Sequence, residues 1–244
     1  MSYNAYLEKC DEEIVILLNN DIIVEPDFVD PLLEVFERKP DAFFACSQAL
    51  NVDTKAYEGS LSKMEFRWGM PWGTSRFTGY ESGVHRQGIS MQCGFGAFKR
   101  RILLALKGFD DLFLPGTVED TDLCFRAYRQ GWKGYYIPKS VVYHVGQASF
   151  KRDYGVSGLR RLNRRNLYLF VWKNIRSPWL IFQHLLFMPV HLVKYVVLGQ
   201  WDFLMGFFDA LRLLPKAIVK RRESVCEKTI VSERAIFKIS RSIA

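Results

Sequence analysis

Three groups of polar residues stand where they could do chemistry together. The first, residues 19–21, directly follows the aliphatic run of residues 14–18; the second, Glu119 and Asp120, opens a predicted helix; the third is His144, which ends a predicted strand. A carboxylate and an imidazole at the carboxyl ends of strands, with further carboxylates opening a nearby helix, would form a divalent-metal site beside a general base. The combination therefore predicts an enzyme site of this kind.

Each group has a structural alternative when it is considered alone. Asn and Asp at positions 19–21 favour turns for purely local reasons, and an acidic pair before an apolar run is a common helix start. His144 could be a histidine whose hydrogen bonds serve the fold. The functional interpretation depends on the three groups occurring together.

Two short apolar runs indicate the strands that must position the first group. Residues 14–18 show no polar alternation, which is typical of a strand buried on both faces in a parallel sheet with helices on either side. In open α/β sheets, ligands bind at the carboxyl ends of the strands. Residues 42–46 are expected to form a neighbouring strand, and residues 3–10 and 26–39 to form helices.

The elements that position the other two groups follow an irregular segment. Residues 51–90 lack a clear period and are expected to form a long, partly ordered insertion. The alternation of strands and helices beyond it predicts an α/β fold, and acidic residues favour the start of a helix because of its dipole. The predicted elements are a strand over residues 92–98, a helix over residues 99–106, a helix over residues 119–130 and a strand over residues 135–145.

The charge of the chain differs between its two parts. The 244 residues carry a net charge of +8, with a pI of about 9.2. Residues 1–150 hold 16 Lys and Arg against 20 Asp and Glu, whereas residues 151–244 hold 18 against 6. A hydrophobic fraction of 49% with 25% charged residues excludes wholesale disorder and collagen-like repeats. The basic part is therefore the part that would meet an anionic partner.

Two long apolar stretches dominate the basic part of the chain. A helix is expected over residues 159–173, and apolar helices are expected over residues 179–198 and 201–219. When their residues are placed around a helix at about 100° each, both apolar helices show a narrow polar stripe and a wide apolar face. We expect them to form a hairpin in the membrane interface, and the alternative is that both pack in the core of a soluble domain.

The basic run of residues 216–222 supports the membrane interpretation. It would meet anionic headgroups on the cytoplasmic side, and Pro189 and Pro215 are expected to kink the two helices. Binding of nucleic acid is disfavoured, because the basic residues are interleaved with apolar helices. Five widely spaced cysteines without a Cys-x-x-Cys pair favour a reducing, cytosolic setting, and the N-terminus is too polar for a signal peptide.

Four blocks of sequence occur in an order that resembles one enzyme family. The first, Leu17-Leu-Asn-Asn-Asp-Ile-Ile-Val-Glu-Pro-Asp-Phe28, is a strand that ends in a variant of Asp-x-Asp. The others are Cys93-Gly-Phe-Gly-Ala-Phe-Lys-Arg-Arg101 with Gly108-Phe-Asp-Asp111, then Glu119-Asp-Thr-Asp-Leu-Cys-Phe-Arg126 with Gly131-Trp132, and Val141-Val-Tyr-His144. The set resembles the inverting, rhamnosyltransferase-like family 2 glycosyltransferases. That resemblance implies a GT-A (Rossmann-like) mixed sheet with flanking helices, followed by an amphipathic helical region.

The resemblance implies a metal and donor site at the first and fourth blocks. Asp21 and His144 would ligate Mg²⁺ or Mn²⁺, which would offset the charge on the diphosphate of a nucleotide-sugar donor. Asn19 and Asn20 would lie at the same diphosphate, with Asn19 replacing the first Asp of the motif.

The resemblance also implies a base and an acceptor side. Asp120 would deprotonate the acceptor hydroxyl that attacks the anomeric carbon, with Glu119 or Asp122 as substitutes, and Asp122 is also predicted on the acceptor side. Trp68 and Trp72 could stack on a sugar ring, although loop packing is the alternative.

Arg164 and Arg165 lie where relatives carry an Arg-Asn pair near the diphosphate. Arginine matches phosphate oxygens in bidentate fashion, and the alternative is a solvated or lipid-facing basic surface. The Gln-x-x-Arg-Trp motif of processive relatives does not occur in this sequence. The resemblance therefore implies addition of one sugar or a few.

One departure from the family concerns the nucleoside pocket. The family begins with a strand and helix unit that reads the nucleoside, but only 18 residues precede Asn19. We therefore expect that about 80 to 90 residues of a GT-A domain are missing. The expected domains are residues 1–150 for the catalytic part, 151–176 for a basic helix that closes the site, 177–222 for the membrane hairpin and 223–244 for a tail.

These inferences lead to one functional expectation and one alternative. We expect a glycosyltransferase, or a fragment of one, that works at the cytoplasmic face of the cell membrane. It would use a nucleotide-sugar donor and a lipid-linked or cell-surface glycan acceptor, on an anionic membrane surface. The alternative is a non-catalytic, membrane-associated fragment or pseudoenzyme that binds no nucleotide-sugar.

Overall fold

The structure is a computed structural model that describes residues 3–145, 148–224 and 229–241, so that Cys226 lies outside the described residues. The chain begins with α1 (Tyr3–Leu7), β1 (Ile14–Leu17), β2 (Ile22–Val24), α2 (Asp30–Arg38) and β3 (Ala42–Asn51). There follow β4 (Tyr57–Gly59), β5 (Lys63–Arg67), β6 (Met70–Thr74), α3 (Tyr80–Gly83) and β7 (Gly88–Ile89). Next come β8 (Gly96–Lys99), α4 (Arg100–Ala105), a short 3₁₀ turn (Asp111–Phe113), α5 (Glu119–Arg129) and β9 (Lys133–His144). The C-terminal elements are α6 (Ala148–Asn174), α7 (Pro178–Val197), α8 (Trp201–Glu223) and α9 (Glu233–Arg241).

Seven of the strands form one mixed sheet. Its path is β1, β8, β3, β9 and β2, with β4 paired to β3 and β7 paired to β9. The β3 and β9 strands are parallel, and the other pairs in the sheet are antiparallel. The β5 and β6 strands form a separate hairpin. The predicted fold class, an α/β mixed sheet with flanking helices followed by C-terminal helices, is confirmed.

The β1 strand differs from its predicted environment. It pairs antiparallel with β8 and lies at the end of the sheet path, and β8 separates it from β3, which was expected to be its neighbour. Val15 packs into one hydrophobic core, whereas Ile14 and Ile16 pack against the other. The run is apolar because both faces of β1 are covered by hydrophobic cores. A strand with an antiparallel partner can be covered on both faces, just as a strand in a parallel sheet can.

Helices cover both faces of the sheet. On one face, Leu32 and Val35 of α2 are buried against Ala45 and Val142. The larger core on the other face contains residues of α4, α5 and α6, among them Ile102, Leu103, Leu123, Leu169 and Phe170.

Two glycines allow close contact between β3 and its neighbouring strands β8 and β9. A Cβ atom added at Gly134 would lie 1.8 Å from Cζ of Phe44. Gly96 has a φ of +151°, and a Cβ atom there would lie 2.3 Å from the carbonyl oxygen of Ala45. Any larger residue at either position would have to push β3 or β8 aside.

Residues 51–90 are not the partly ordered insertion that the sequence predicts. They contain β4 to β7 and α3, and two of these strands extend the main sheet. The β5–β6 hairpin turns at Trp68 and Gly69, both with positive φ. Strands of two to five residues are too short to produce a recognisable sequence period, which explains the wrong prediction.

The α7 and α8 helices pack on the rest of the protein through their polar stripes. The α8 helix lies along α6, where Asp209 binds Arg161, and α7 lies on the turn of the β5–β6 hairpin, where His184 contacts the carbonyl oxygen of Gly69. Both helices continue through their internal prolines. Among the described helices, α7 is long and apolar enough to cross a membrane, and only 17% of its most apolar window is buried.

Candidate active site

Asp21 and His144 are brought together by the pairing of β2 with β9. Ile22 of β2 lies opposite His144, the last residue of β9, so the residue just before Ile22 falls beside the imidazole. Oδ2 of Asp21 lies 3.3 Å from Nε2 of His144. The backbone continues this link, because the amide of Val145 donates to the carbonyl oxygen of Asp21 at 2.9 Å.

Glu58 is a member of this cluster that the sequence did not reveal. Its Oε2 lies 2.8 Å from Nδ1 of His144, and its Oε1 accepts a hydrogen bond from the Asn51 amide at 2.8 Å. Burial alone would raise the pKa of Glu58, but these contacts with Asn51 and His144 lower it. Glu58 lies on β4, in the segment interpreted as an insertion, and no motif marks it.

The donor set at this position fits a divalent cation. With Glu58 on Nδ1, the His144 ring is held so that Nε2 points towards Asp21, and a carboxylate behind a histidine is the usual outer partner of a metal ligand. Among the described residues, no group of three or more His, Cys, Asp or Glu side chains could hold a metal ion alone. An ion here would therefore need further oxygen ligands, such as those of a diphosphate.

The carboxylates at the start of α5 form the second part of the site. Oδ1 of Asp120 accepts a hydrogen bond from the backbone amide of Thr121 at 2.7 Å. Its Oδ2 faces Gly94, where an added Cβ atom would lie 3.8 Å away. Burial raises the pKa of Asp120 despite the hydrogen bonds from Thr121 that oppose this effect. One oxygen is thus fixed while the other faces the loop before β8.

Glu119 has an unusual environment next to Asp120. Burial, with the charges of Asp120 and Asp122 adding to it, raises the pKa of Glu119 to about 7. Its buried Oε2 atom has no hydrogen-bond partner among the described residues. Glu119 is therefore partly protonated near neutral pH.

Gln92 supports the start of α5 from the opposite side. Its Nε2 donates to Oγ1 of Thr121 at 2.7 Å, and that hydroxyl lies 3.3 Å from Oδ1 of Asp120. Residues 92–95 were expected to lie within a strand, but β8 begins only at Gly96. The preceding residues form a loop that lines the site.

A cavity of about 770 Å³ lies between the end of β1 and the start of α5. Asn19, Gly94, Glu119 and Asp120 line it. The Phe95 ring, next to Gly94, lies 6.3 Å from the ring of His144. Asp120 and the Asp21–His144 pair thus lie on either side of residues 94–95, and Asn19 reaches the same cavity.

The Asp122 side chain is bound inside the protein and does not face the cavity in which an acceptor was expected. It is fully buried, and its oxygens accept hydrogen bonds from Arg126, Lys173 and Asn174 at 2.7 to 2.8 Å. Burial alone would raise the pKa of Asp122, but Lys173 and Arg126 outweigh it and lower the pKa. A substrate would have to break this network to reach the carboxylate.

Arg164 and Arg165 have partners other than Asp21 and His144. The guanidinium of Arg164 lies over the rings of Tyr195 and Phe203, at 5.3 and 4.7 Å, between α7 and α8. Arg165 donates to Oδ1 of Asn166 and to the carbonyl oxygen of Leu114. Helix periodicity explains these positions. Leu159 and Asn163, one turn apart on α6, line the cavity, and the two arginines that follow Asn163 are rotated about 100° and 200° away from it.

The two tryptophans lie on the β5–β6 hairpin and are exposed, by 68% for Trp68 and 60% for Trp72. Trp68 packs edge-on against Phe187 of α7, at 5.2 Å. Trp72 is adjacent to Gly73, where an added Cβ atom would lie 2.6 Å from Nε2 of Gln92. The Trp72 strand therefore borders the site through Gln92, whereas Trp68 borders α7.

Residues 2–168 match the model of the family described as "Glycosyltransferase like family 2", which is more than half of the chain. The chain therefore belongs to this family. No curated protein matches it. Among solved structures, the crystal structure of GalNAc-T7 with UDP, GalNAc and Mn²⁺ is similar, with a TM-score of 0.50 and 14% identity. The match covers 69% of this chain and 33% of that one, so the chain spans about a third of the length of that protein. This likeness identifies the fold as GT-A.

Proposed function

We propose that the chain transfers a sugar from a nucleotide-sugar donor to a hydroxyl group of a lipid-linked or cell-surface glycan, with inversion at the anomeric carbon. Family membership supports the transferase class. The observation that carries the assignment is Asp120, whose carboxylate lies in the cavity wall with one oxygen fixed by Thr121 and the other towards Gly94.

In the proposed reaction, Oδ2 of Asp120 accepts the proton of the acceptor hydroxyl. The hydroxyl oxygen forms a bond to the anomeric carbon, and the bond from that carbon to the donor phosphate oxygen breaks on the opposite face. The nucleoside diphosphate leaves with the electron pair. A carboxylate with a raised pKa suits this role, because it binds the proton more strongly than an ordinary Asp.

The donor diphosphate would lie at the end of β1. The amide groups of Asn19 and Asn20 can donate hydrogen bonds to phosphate oxygens. Asp21 and His144 would hold Mg²⁺ or Mn²⁺, whose charge stabilises a diphosphate leaving group when it is bound. Two observations support this assignment. Oδ2 of Asp21 lies 3.3 Å from Nε2 of His144, and Glu58 contacts the other ring nitrogen of His144.

The acceptor assignment rests on the exposed apolar surface of α7. A glycan on a membrane lipid could approach a protein that lies against the cytoplasmic leaflet, which is the location that we propose. Trp72, on the strand that borders Gln92, is the proposed acceptor contact.

Titration calorimetry and turnover test the proposal on the full chain. UDP, GDP and dTDP should be compared with Mn²⁺, with Mg²⁺ and with a chelator, and binding of one of them should require the metal. Hydrolysis of the corresponding nucleotide-sugar should be lost in Asp120→Asn and kept in Asp27→Asn, a matched change at an exposed Asp on the surface. Turnover without a metal, or full activity of Asp120→Asn, would overturn the mechanism. Failure to bind any nucleotide would favour the non-catalytic alternative.

A further inference from the structure

Both histidines of α7 are turned towards the protein. The indole Nε1 of Trp172 donates to Nε2 of His184 at 3.0 Å, so the other ring nitrogen donates to the carbonyl oxygen of Gly69 at 2.7 Å. Nε2 of His191 donates to the carbonyl oxygen of Trp68 at 2.7 Å. These contacts attach one side of α7 to the turn of the β5–β6 hairpin and to α6.

The opposite side of α7 is apolar and exposed. Its residues span an arc of about 140° around the helix at about 100° per residue. The helix contains no Asp or Glu, and Lys194 at the rim of this side is its only cation. The side chains that expose more than half of their surface are Trp179, Phe182, Leu185, Leu186, Val190, Val193 and Val197.

The attachment of α7 determines how such a face could meet a bilayer. Leu180 and His184 near its start and Tyr195 near its end are all buried in the protein. The helix is therefore bound side-on along its whole length. If α7 crossed the bilayer, the β5–β6 hairpin attached to it would have to enter the hydrocarbon, where loops and open sheet edges do not occur. A helix in this situation can only lie in the plane of the interface, with one face inserted.

A groove with three cations continues this surface at the start of α7. Arg234, Lys238 and Arg241 of α9 follow a spacing of four and three residues, which places them on one side of the helix. They line a cavity of about 1190 Å³ together with Phe66, Trp179, Leu180 and Phe237. None of the three cations forms an ion pair with another residue of the described ranges. The groove thus combines an apolar floor with positive charge.

Charge favours a lipid over a second copy of the chain as the partner of this surface. The exposed charges of α7 and α9, the two helices that form this surface, are the four cations Lys194, Arg234, Lys238 and Arg241, and neither helix has an exposed carboxylate among its described residues. Two copies that met through this face would bring like charges together, whereas anionic lipid headgroups would neutralise them. The acidic residues Asp202 and Asp209 of α8 are turned towards Arg160 and Arg161.

We infer that α7 and the α9 groove form a monotopic docking surface for an anionic phospholipid bilayer. The exposed face of α7 inserts among the acyl chains in the plane of the membrane, and Arg234, Lys238 and Arg241 bind lipid phosphates. This inference deepens the proposed function, because it defines the surface that would present the site to a lipid-linked acceptor. It does not depend on the chemistry at Asp120.

Vesicle co-sedimentation of the full chain tests the surface. The chain should bind phosphatidylcholine vesicles containing about 30% phosphatidylglycerol at least about tenfold more tightly than pure phosphatidylcholine vesicles. Arg234→Gln/Lys238→Gln/Arg241→Gln should remove this preference. The control Arg38→Gln/Lys39→Gln/Lys139→Gln, three exposed cations elsewhere on the surface, should keep it. Equal loss in both triple variants would show that only net charge matters and would overturn the groove assignment.

Two apolar positions test insertion in the same assay. Val190→Asp/Val193→Asp should weaken binding to both kinds of vesicle, whereas Ile23→Asp, at an exposed apolar position on β2, should not. Circular dichroism before the assay verifies that each variant is folded. Undiminished binding of the α7 double variant would overturn the inference, as would a stable dimer of the chain that binds no vesicle.

Depth measurements distinguish an in-plane helix from a spanning one. Nitroxide labels at Phe182→Cys, Val190→Cys and Val197→Cys, in a chain with Cys10→Ser and Cys226→Ser, lie on the exposed side. The outer two are about 22 Å apart along the helix at about 1.5 Å per residue. The ratio between accessibility to oxygen and accessibility to a water-soluble relaxation agent should be the same at all three sites. A steep change in this ratio along the helix would show that the helix spans the membrane. Nucleotide binding measured on the same samples separates failure of this inference from failure of the proposed function.

Discussion

At the scale of single residues, Asp120 differs from its acidic neighbours by the asymmetry of its carboxylate. One oxygen is held by Thr121, whereas the other faces the cavity beside Gly94. Asp122, two positions later, has both oxygens bound by cations and an amide. A base needs a free oxygen within reach of the acceptor, so Asp120 alone of the two can serve.

Asp120→Asn is expected to lower the turnover of nucleotide-sugar by about 10²- to 10⁴-fold, the usual contribution of a general base. Thr121→Val should cost less, since it removes the hydroxyl contact while the backbone amide still holds Oδ1. Its pH–rate profile should shift, because hydrogen bonds from Thr121 lower the pKa of Asp120. Steady-state rates over a pH series measure both effects, and an unchanged profile in Thr121→Val would contradict the positioning role.

Glu119→Gln is expected to alter the pH dependence of stability. The folded-state pKa of Glu119 is raised from 4.5 to about 7, so the folded protein binds the proton more tightly than the unfolded chain, and stability falls as the pH rises through this window. One pKa unit corresponds to about 1.4 kcal/mol, so the rise from 4.5 to about 7 makes the loss roughly 3 to 4 kcal/mol at most. In urea unfolding, the difference in stability between the glutamine variant and the wild-type protein should therefore shift in favour of the variant from pH 5 to pH 8. Glu81→Gln, at an exposed Glu, is the matched control, and equal curves for both variants would refute the assignment.

At the scale of elements, a buried ion-pair network joins α5 to α6. Nζ of Lys173 lies 2.7 Å from oxygens of both Asp110 and Asp122, and Arg126 binds Asp122 from its own helix. Arg126 also donates to the carbonyl oxygens of Leu106 and Gly108. The network thus fixes the start of α5, where Glu119 and Asp120 lie, against the turn that lines the cavity.

Lys173→Met is expected to lower the free energy of unfolding by about 3 to 5 kcal/mol, because it leaves two buried carboxylates with too few partners. The loss should be smaller at low pH, since Lys173 lowers the pKa of Asp110 and Asp122 and its contribution disappears as they become protonated. Urea denaturation of the variant and of Lys139→Met, at an exposed Lys, measures the difference. A cost below about 1 kcal/mol would mean that the network contributes little to stability.

At the scale of the whole molecule, α9 connects distant parts of the chain. The carboxylate of Glu233 accepts hydrogen bonds from the backbone amides of Arg176 and Ser177, at 2.7 and 2.8 Å, and so caps the start of α7. The hydroxyl of Ser240 accepts a hydrogen bond from the amide of Met64 on β5. The two contacts attach α9 to the start of α7 and to the β5–β6 hairpin.

Glu233→Ala is expected to lower the free energy of unfolding by about 1 to 3 kcal/mol, since it leaves two helix N-terminal amides without a partner. Glu233→Gln should cost less, because the amide oxygen can still accept one of these hydrogen bonds. Thermal unfolding compared with Glu223→Ala, at an exposed Glu on α8, gives the measure. Hydrogen exchange at Arg176 and Ser177 should rise in the alanine variant, and unchanged protection there would exclude the capping role.

The sequence by itself determined the fold class and the identity of the main polar groups. Asp21, Asp120 and His144 could be singled out because each ends or begins an element that local patterns reveal, and the order of the four blocks added the family. The pairing partners of β1 could not be predicted, since an apolar run does not encode strand direction.

Only the tertiary structure decided which polar residues share a site. Glu58 and Gln92 are distant from His144 and Thr121 in sequence, and it is strand pairing and loop packing that bring them together. Asp122 carries the same charge as Asp120, and Arg164 was predicted at the donor diphosphate. Helix periodicity instead turns Asp122 towards Lys173 and Arg164 towards the rings of α7 and α8. The direction of a side chain depends on what each element packs against. A local sequence pattern contains the residue types, whereas their distances arise from contacts between distant segments.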